Sequence, residues 1–489
     1  MQKVVLLHER GTIQTTVEKV LSLSEVYHNQ KCDFLLDLYS HVKDYETQTG
    51  RSVLPALLPV YQSAPAVWSI DLSERKASLL LEVLKLQPEK KPVELKGWSD
   101  EESEVRSFLQ CLPYISQLRF TPPQGQRKSP EERTKRERTF LLNLCLQAAL
   151  HERGTIQTTV EKVLSLSEVY HNQKCDFLLD LYSHVKDYET QTGRSVLPAL
   201  QPVYQSAPAV WSIDLSERKA SLLLEVLKLQ PERKPVELKG WSDEESEVRS
   251  VLQCLPYISQ LRFPPLKDNL ERTKREKTFL LNLCLQAALH ERGTIQTAVE
   301  KVLSLSEVYN NQKCDFLLDL YSHVKDYETQ TGRSVLPVLQ PVYQSAPAVW
   351  SIDLRKRNVS PLLEVLKLQP EKKPVELKGW SDEESEVRSF LQCLPYISQL
   401  RLNVGVAVKL SRLVMRIERG ATPLTVPELS LVLKSSQTPE RVLSRALSNV
   451  VSLLRLWRVQ CLDLTDLWIQ GHSLIALLCH QGPLSLRSV

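Results

Sequence analysis

The chain has 489 residues, of which 42% are hydrophobic and 25% charged, the balance of a folded protein and not of a disordered or fibrous one. Its 14 glycines and 2 methionines, against 28 prolines, argue against a hairpin-rich sheet protein or an enzyme built on phosphate loops. Sixty-two Lys and Arg nearly cancel 58 Asp and Glu; a net charge of +4 is too close to balance for dedicated polyanion binding.

In chain order, the first recognisable string is LHERGTIQT at Leu7, and it returns at Leu150 and Leu289, offsets of 143 and 139 residues. The tryptophan of KPVELKGWSDEESEVRS falls at Trp98, Trp241 and Trp380, with the same two offsets. Residues 7–400 are therefore nearly three copies of one unit, and the first copy lacks the start of the unit. Residues 158–169 and 175–185 predict helices, the second with Leu178, Leu181, Tyr182 and Val185 on one face. Pro198, Pro202 and Pro208 are expected to break the stretch that follows. VWSIDL (residues 67–72) then reads as a strand, as do PVELKGW (92–98) and ISQLRF (115–120).

Between those strands, residues 73–87 carry Leu80, Val83, Leu84 and Leu86, the stripe of a one-sided helix. Ser99 to Glu102 reads as a capping box for a second helix whose apolar face is Val105, Phe108, Leu109 and Leu112. Leu72, Leu95 and Leu118 are 23 residues apart, within the period of a leucine-rich repeat, although the asparagine usual after the strand of that repeat is missing. The copies differ in length between Phe120 and Arg133, which marks an exposed loop. The basic run at 127–138 follows, interleaved with acidic residues and read as a solvated helix start; Ser129-Pro130 within it is a candidate phosphorylation site. TFLLNLCLQAAL (139–150) is apolar nearly all round and should be sandwiched between neighbours. After residue 401 the unit does not recur, yet PELSLVL, VQCLDLTDLWI and PLSLRSV again read as strands between helices. The best leucine-rich match in the chain runs from Leu462 to Ile469.

The expected architecture is α/β: a helix-rich solenoid of degenerate leucine-rich repeats, with short parallel strands plus helices, interrupted by helical blocks. Its segments are 1–120, 121–263, 264–401 and a C-terminal leucine-rich-repeat-like piece at 402–489. Two outward columns line the predicted strand face. The first is Asp71, Glu94 and Gln117, and the second is Ser73, Lys96 and Arg119. The later copies supply Asp214, Glu237, Lys239, Asp353, Glu376 and Lys378. Trp98, Trp241 and Trp380 join this face as partner anchors, against the plainer reading that they cap the unit's own core.

The sequence contains no GxxxxGK[ST], GxGxxG, HExxH or GxSxG, and its ten cysteines form no CxxC pair. The cysteines sit among leucines and read as buried free thiols, which suits a reducing cytosol. HVKD at His41, His184 and His323 reads as a solvated helix face. The expectation is a chain without enzymatic activity, cofactor or metal, and with no run of the ~18 apolar residues a membrane span needs. The mixed charge favours protein or peptide ligands over nucleic acid and leaves self-association open.

The runs YSHVKDYETQTGRSVLPAL, VELKGWSDEESEVRSFLQCLPYISQLRF and LLRLWRVQCLDLTDLWIQGHSLIALLCHQGPL resemble the leucine-rich repeat region of the fish NOD-like receptor (NACHT-LRR) family. That resemblance implies the ligand-sensing or autoinhibitory repeat region of a cytosolic innate-immune receptor, or a repeat-only relative. No Walker A motif is present, so it brings neither ATP-driven assembly nor any catalytic residue. Two rival readings belong to other classes: an all-helical adaptor scaffold unrelated to immunity, and a hydrolase using a Cys-His pair. The truncated first copy and the abrupt end also fit a mis-assembled gene model.

Overall fold

The computed structural model describes residues 15–487 except 18, 21–29, 64, 74, 122–128, 152–153, 168–169, 171–172, 207, 217, 265–269, 291–294, 306–312, 346, 356–358, 381–382, 418–423, 433–439, 466–476 and 478–483. The length-variable loop after Phe120, the basic residues 127–128, Ile469 and Cys479 lie outside the described residues. Two compact units are distinguished, one of residues 1–242 with 256–259 and one of 243–255 with 260–489.

The first unit opens with α1 (Lys31–Thr49) and α2 (Leu54–Gln62), followed by β1 (Trp68–Asp71), α3 (Ala77–Lys85), β2 (Lys91–Gly97), α4 (Glu102–Leu109) and β3 (Ile115–Phe120). A helical block follows: α5 (Pro130–His151), α6 (Ile156–Leu166), α7 (Lys174–Thr192) and α8 (Leu197–Gln205). The second copy then repeats β4 (Trp211–Asp214), α9 (Ala220–Lys228), β5 (Lys234–Gly240), α10 (Glu245–Cys254) and β6 (Ile258–Arg262). Next come α11 (Leu270–His290), α12 (Ile295–Leu305), α13 (Lys313–Thr331) and α14 (Leu336–Gln344). The last part of the chain forms β7 (Trp350–Asp353), α15 (Ser360–Lys367), β8 (Lys373–Gly379), α16 (Glu384–Leu391), β9 (Ile397–Asn403), α17 (Val404–Ile417), β10 (Leu424–Val432), α18 (Glu440–Leu456), β11 (Trp457–Asp463) and β12 (Ser485–Arg487). This is an α/β chain of short parallel strands and many helices, which removes the all-helical alternative.

Strand-to-strand connections through helices force parallel pairing. In the first unit β1, β2 and β3 form one sheet in that order; in the second, β7 to β12 form a six-stranded sheet in sequence order. That sheet runs across the expected boundary at residue 401, because β9 continues to Asn403 and β10 pairs beside it. Burial alternates along β1 and β2, and in register with them Trp68, Val93 and Leu118 stack as one apolar row and Ile70 and Leu95 as the next.

Two local features depart from the sequence expectations. Leu197–Gln205 is helical despite its prolines. Pro198 occupies the first turn, where its missing N–H costs nothing, and Glu189 caps the start by accepting the backbone N–H groups of Val196 and Leu197. Burial of Leu200, Val203 and Tyr204 then outweighs the one hydrogen bond lost at Pro202. The capping box is also not formed: α4 starts at Glu102 with Glu101 as an extended N-cap that makes no side-chain cap bond. Glu104, two residues beyond the expected box partner Glu102, reaches across and accepts the Ala77 N–H at 2.8 Å, capping the preceding helix α3.

Candidate interaction face of the sheets

The polar face is built by the register of the strands. Ser69 pairs with Glu94 and Glu94 with Arg119, so the outward row in the first sheet is Ser69–Glu94–Arg119. The expected column of Asp71, Glu94 and Gln117 is not a row. A register shift between Ile70 and Asp71 sets Asp71 beside Gly97, and another between Lys91 and Pro92 sets Gln117 beside Pro92. A Cβ on Gly97 would crowd the Ser73 hydroxyl and the Asp71 carboxylate, so any larger residue here must displace those side chains.

Asp71 is itself spent on a turn, accepting the Ser73 N–H at 2.9 Å; Asp214 does the same with Ser216, and Asp353 with Arg355. Ser73 lies past the strand end, in that turn. Asp71, Ser73, Asp214 and Asp353 are therefore turn residues and not an open binding column. Glu94, Lys96, Gln117 and Arg119 keep partial or full exposure, as do Glu237, Lys239, Glu376 and Lys378. Within the rows, Ser212 donates to Glu237 at 2.7 Å and Ser351 to Glu376 at 2.8 Å. The Glu94 carboxyl is held below its usual value by hydrogen bonds from Thr121 and Ser69.

The six-stranded sheet carries the longest such row: Ser351, Glu376, Arg401, Ser430, Asp463 and Arg487, in unbroken register, all partly or fully exposed except Ser430, which is buried. A second polar row, Gln399–Glu428–Cys461–Ser485, runs beside it. Within the second row Gln399 donates to Glu428 at 2.7 Å; the two rows are cross-linked by Arg401, which donates to Gln399 at 2.7 Å, and by Arg487, 3.4 Å from Glu428. An apolar row of Trp350, Val375, Leu400, Leu429, Leu462 and Leu486 runs alongside, buried except for Leu486 at the edge. Asn403 ends β9: it donates to the Lys378 carbonyl at 3.0 Å and accepts the Val406 N–H at 3.0 Å, tying two strands to the start of α17. The first copy has Thr121 at this place; the signal for the asparagine was ISQLRLN, in the third copy alone.

The tryptophans do not belong to the face. Trp98, Trp241 and Trp380 are 7%, 4% and 3% exposed, so the expectation of partner anchors is corrected to core residues. Trp98 packs edge-on against Phe120 at 5.1 Å and beside Phe140 at 5.5 Å, under the Arg136 guanidinium at 4.8 Å. The basic run is likewise engaged and not simply solvated. Arg133 donates to the Phe120 carbonyl at 2.7 Å and Arg136 to that of Trp98 at 3.1 Å, while Ser129 caps α5 by accepting the Glu132 N–H.

Three more groups find structural employment. The thiol of Cys32 points at the Val67 carbonyl and the Asp33 carboxylate accepts the Asp71 N–H at 3.1 Å, so α1 closes the free edge of β1. Cys175 and Asp176 repeat this on β4. Eight described cysteines are buried and Cys461 is partly exposed; burial pushes Cys32 and Cys175 up to about 11, and Cys111 and Cys393 to about 12. A buried thiol raised in this way is a poor nucleophile, which weighs against the Cys-His reading at these positions. His184 is half-buried and bonded to Asn143 at 2.7 Å, and burial lowers its pKa, so the solvated-face reading fails in the second copy and, by His323 and Asn282, in the third. A groove of ≈ 700 Å³ beside His184 is lined by Lys135, Arg138, Tyr170, Asp180 and Asp187, charges of both signs.

No family model matches the chain, and no curated protein matches it. Among solved structures it is aligned with a "circular tandem repeat protein with novel repeat topology and enhanced subunit contact surfaces" at 14% identity, over 91% of this chain and 75% of that one. The TM-score is 0.10, too low for the pair to carry any argument about fold or function. No described helix is long and apolar enough to cross a membrane, and no group of His, Cys, Asp and Glu among the described residues is placed to hold a metal ion.

Proposed function

We propose that the chain is a non-enzymatic scaffold that binds protein or peptide ligands through the polar face of its parallel sheets. One observation carries the reading: the in-register row from Ser351 to Arg487, flanked by a second polar row, with accessible polar groups, of both charge signs, at five of its six positions, Ser430 alone being buried. Such a row offers many shallow polar contacts to an extended partner and no enclosed pocket for a small substrate. The leucine rows and Asn403 are in keeping with leucine-rich repeats in a solenoid, and the resemblance to NOD-like receptors then assigns a cytoplasmic sensing or autoinhibitory role.

Photo-crosslinking tests this. A crosslinking amino acid is placed at Glu376 or Arg458 on the strands, or at Lys409 on α17, in the full chain expressed in cells. Protein adducts are expected at the strand positions and should fall when Arg401→Glu and Arg487→Glu reverse the charge of the face. Equal labelling from Lys409, or adducts indifferent to the charge reversal, overturns the reading.

A further inference from the structure

Helix α6 presents two faces. Ile156, Val160 and Val163 are buried and hold the helix against the first copy, where Ser167, just past its end, pairs with Leu118 of β3. Thr155, Thr159 and Lys162 fall at i, i+4 and i+7 on the neighbouring face. Packing does not close that face. Between it, the end of α3 and the turn Leu112–Tyr114 lies a groove of ≈ 490 Å³, the size of a small-ligand site. Every residue lining the groove is among those described.

The lining is divided by chemistry. Leu81, Leu109 and Leu112, which are 7%, 4% and 3% exposed, give it an apolar wall, with Tyr114 half-buried beside them. Lys85 and Lys162 give it charge, and no carboxylate lines it. Lys85 is partly offset by Glu82 on its own helix, at 3.1 Å. Lys162 is half-buried, and among the described residues no carboxylate offsets its charge. Burial lowers its pKa, and the like charge of Lys90 lowers it further. A cation desolvated in this way and repelled by a second cation lacks a counterion, which an anion in the groove would supply.

We propose that this groove binds a small organic anion, a carboxylate or phosphate on a short apolar body, with its charge at Lys162 and its body on Leu81, Leu109 and Leu112. An inorganic anion leaves the leucines uncovered, and a neutral ring leaves Lys162 uncompensated. The site shares no residue with the polar rows of the sheets and stands whatever those rows bind.

The test titrates the full chain with benzyl phosphate and with phenylacetate, against inorganic phosphate, acetate and benzyl alcohol, by calorimetry. At least one aromatic anion should bind saturably, about five-fold tighter than its ring-free or uncharged parent. The tighter of the two names the head group. Lys162→Gln should weaken that binding about ten-fold, the worth of one charge-assisted hydrogen bond, while Lys162→Arg keeps most of it. Lys43→Gln, an exposed lysine of α1, should change nothing. Isotope-labelled reductive methylation adds a second readout: the anion favours the charged amine, so the Lys162 pKa should rise on binding, and affinity should fall as pH climbs through it. Absence of saturable binding by either aromatic anion, equal binding of the ring-free anions, indifference to Lys162→Gln, or an equal loss in Lys43→Gln overturns the proposal.

Discussion

Arg218 is the residue whose loss should be felt most sharply in the first unit. Its guanidinium lies 3.3 Å from Asp176 and 2.8 Å from Asp180, and donates to the Asp214 carbonyl at 3.0 Å. Asp176 is 4% exposed at the side chain and Asp180 is 22% exposed. Arg218→Ala therefore leaves one buried carboxylate with only the Asp214 N–H, while the other is partly hydrated already. Stranding a buried charge costs about 3–5 kcal/mol, and the openness of Asp180 puts the expected loss at the lower end, about 3 kcal/mol. In a unit of about 250 residues this lowers Tm by roughly 6–12 °C.

The pH dependence follows from Asp176, whose pKa burial raises despite Arg218. A carboxyl raised in the folded state favours folding below its unfolded pKa, near 3.8, and loses that contribution as pH climbs through the folded value. The Arg218→Ala defect should therefore grow from acid toward neutral pH. Asp176→Asn in the same chain keeps an acceptor for Asp214 without the charge and should restore most of the loss. Calorimetry of the three variants at two pH values decides the matter. A Tm change under about 2 °C, or no rescue by Asp176→Asn, refutes the reasoning.

Glu46 accepts the Val53 and Leu54 N–H groups at 2.6 and 2.8 Å, bonds that depress its pKa. The depressed carboxyl stabilises the fold above its unfolded pKa, near 4.5, and ceases to as pH falls through the folded value; the stability gap between the wild type and Glu46→Gln should close on acidification. Asn403→Ala removes bonds to the Lys378 carbonyl and the Val406 N–H and should cost about 1–2 kcal/mol, with faster amide exchange at the start of α17 as the specific readout. In a Cys479→Ser background, native alkylation should modify Cys461 first and leave the eight buried thiols intact until unfolding; early modification of Cys145 or Cys284 contradicts the burial found here.

The three strands of each copy were legible because a strand needs only its own short apolar pattern: VWSIDL and PVELKG alternate, and ISQLRF carries Ile115 and Leu118 as its buried pair. Which residues stand side by side was not. Register is set between strands, and the shifts at Ile70/Asp71 and Lys91/Pro92 move whole columns without leaving a local mark. The proline helix was hidden for a related reason: the carboxylate that caps it, Glu189, belongs to the preceding helix, and a rule applied to residues 197–205 alone never meets it. Glu104 capping α3 is the same lesson in the other direction.

α1, α7 and α13 take this further than any of the missed contacts. Nineteen identical residues give one helix three times, with the same glycine in the left-handed conformation ending α1 and α7 at Gly50 and Gly193. Local structure is thus fully determined by the segment. The burial of Leu181 and Leu320 is not, since it comes from the helices bearing Asn143 and Asn282 that pack on α7 and α13. In a repeat chain, position in the array decides which faces are core and which are surface.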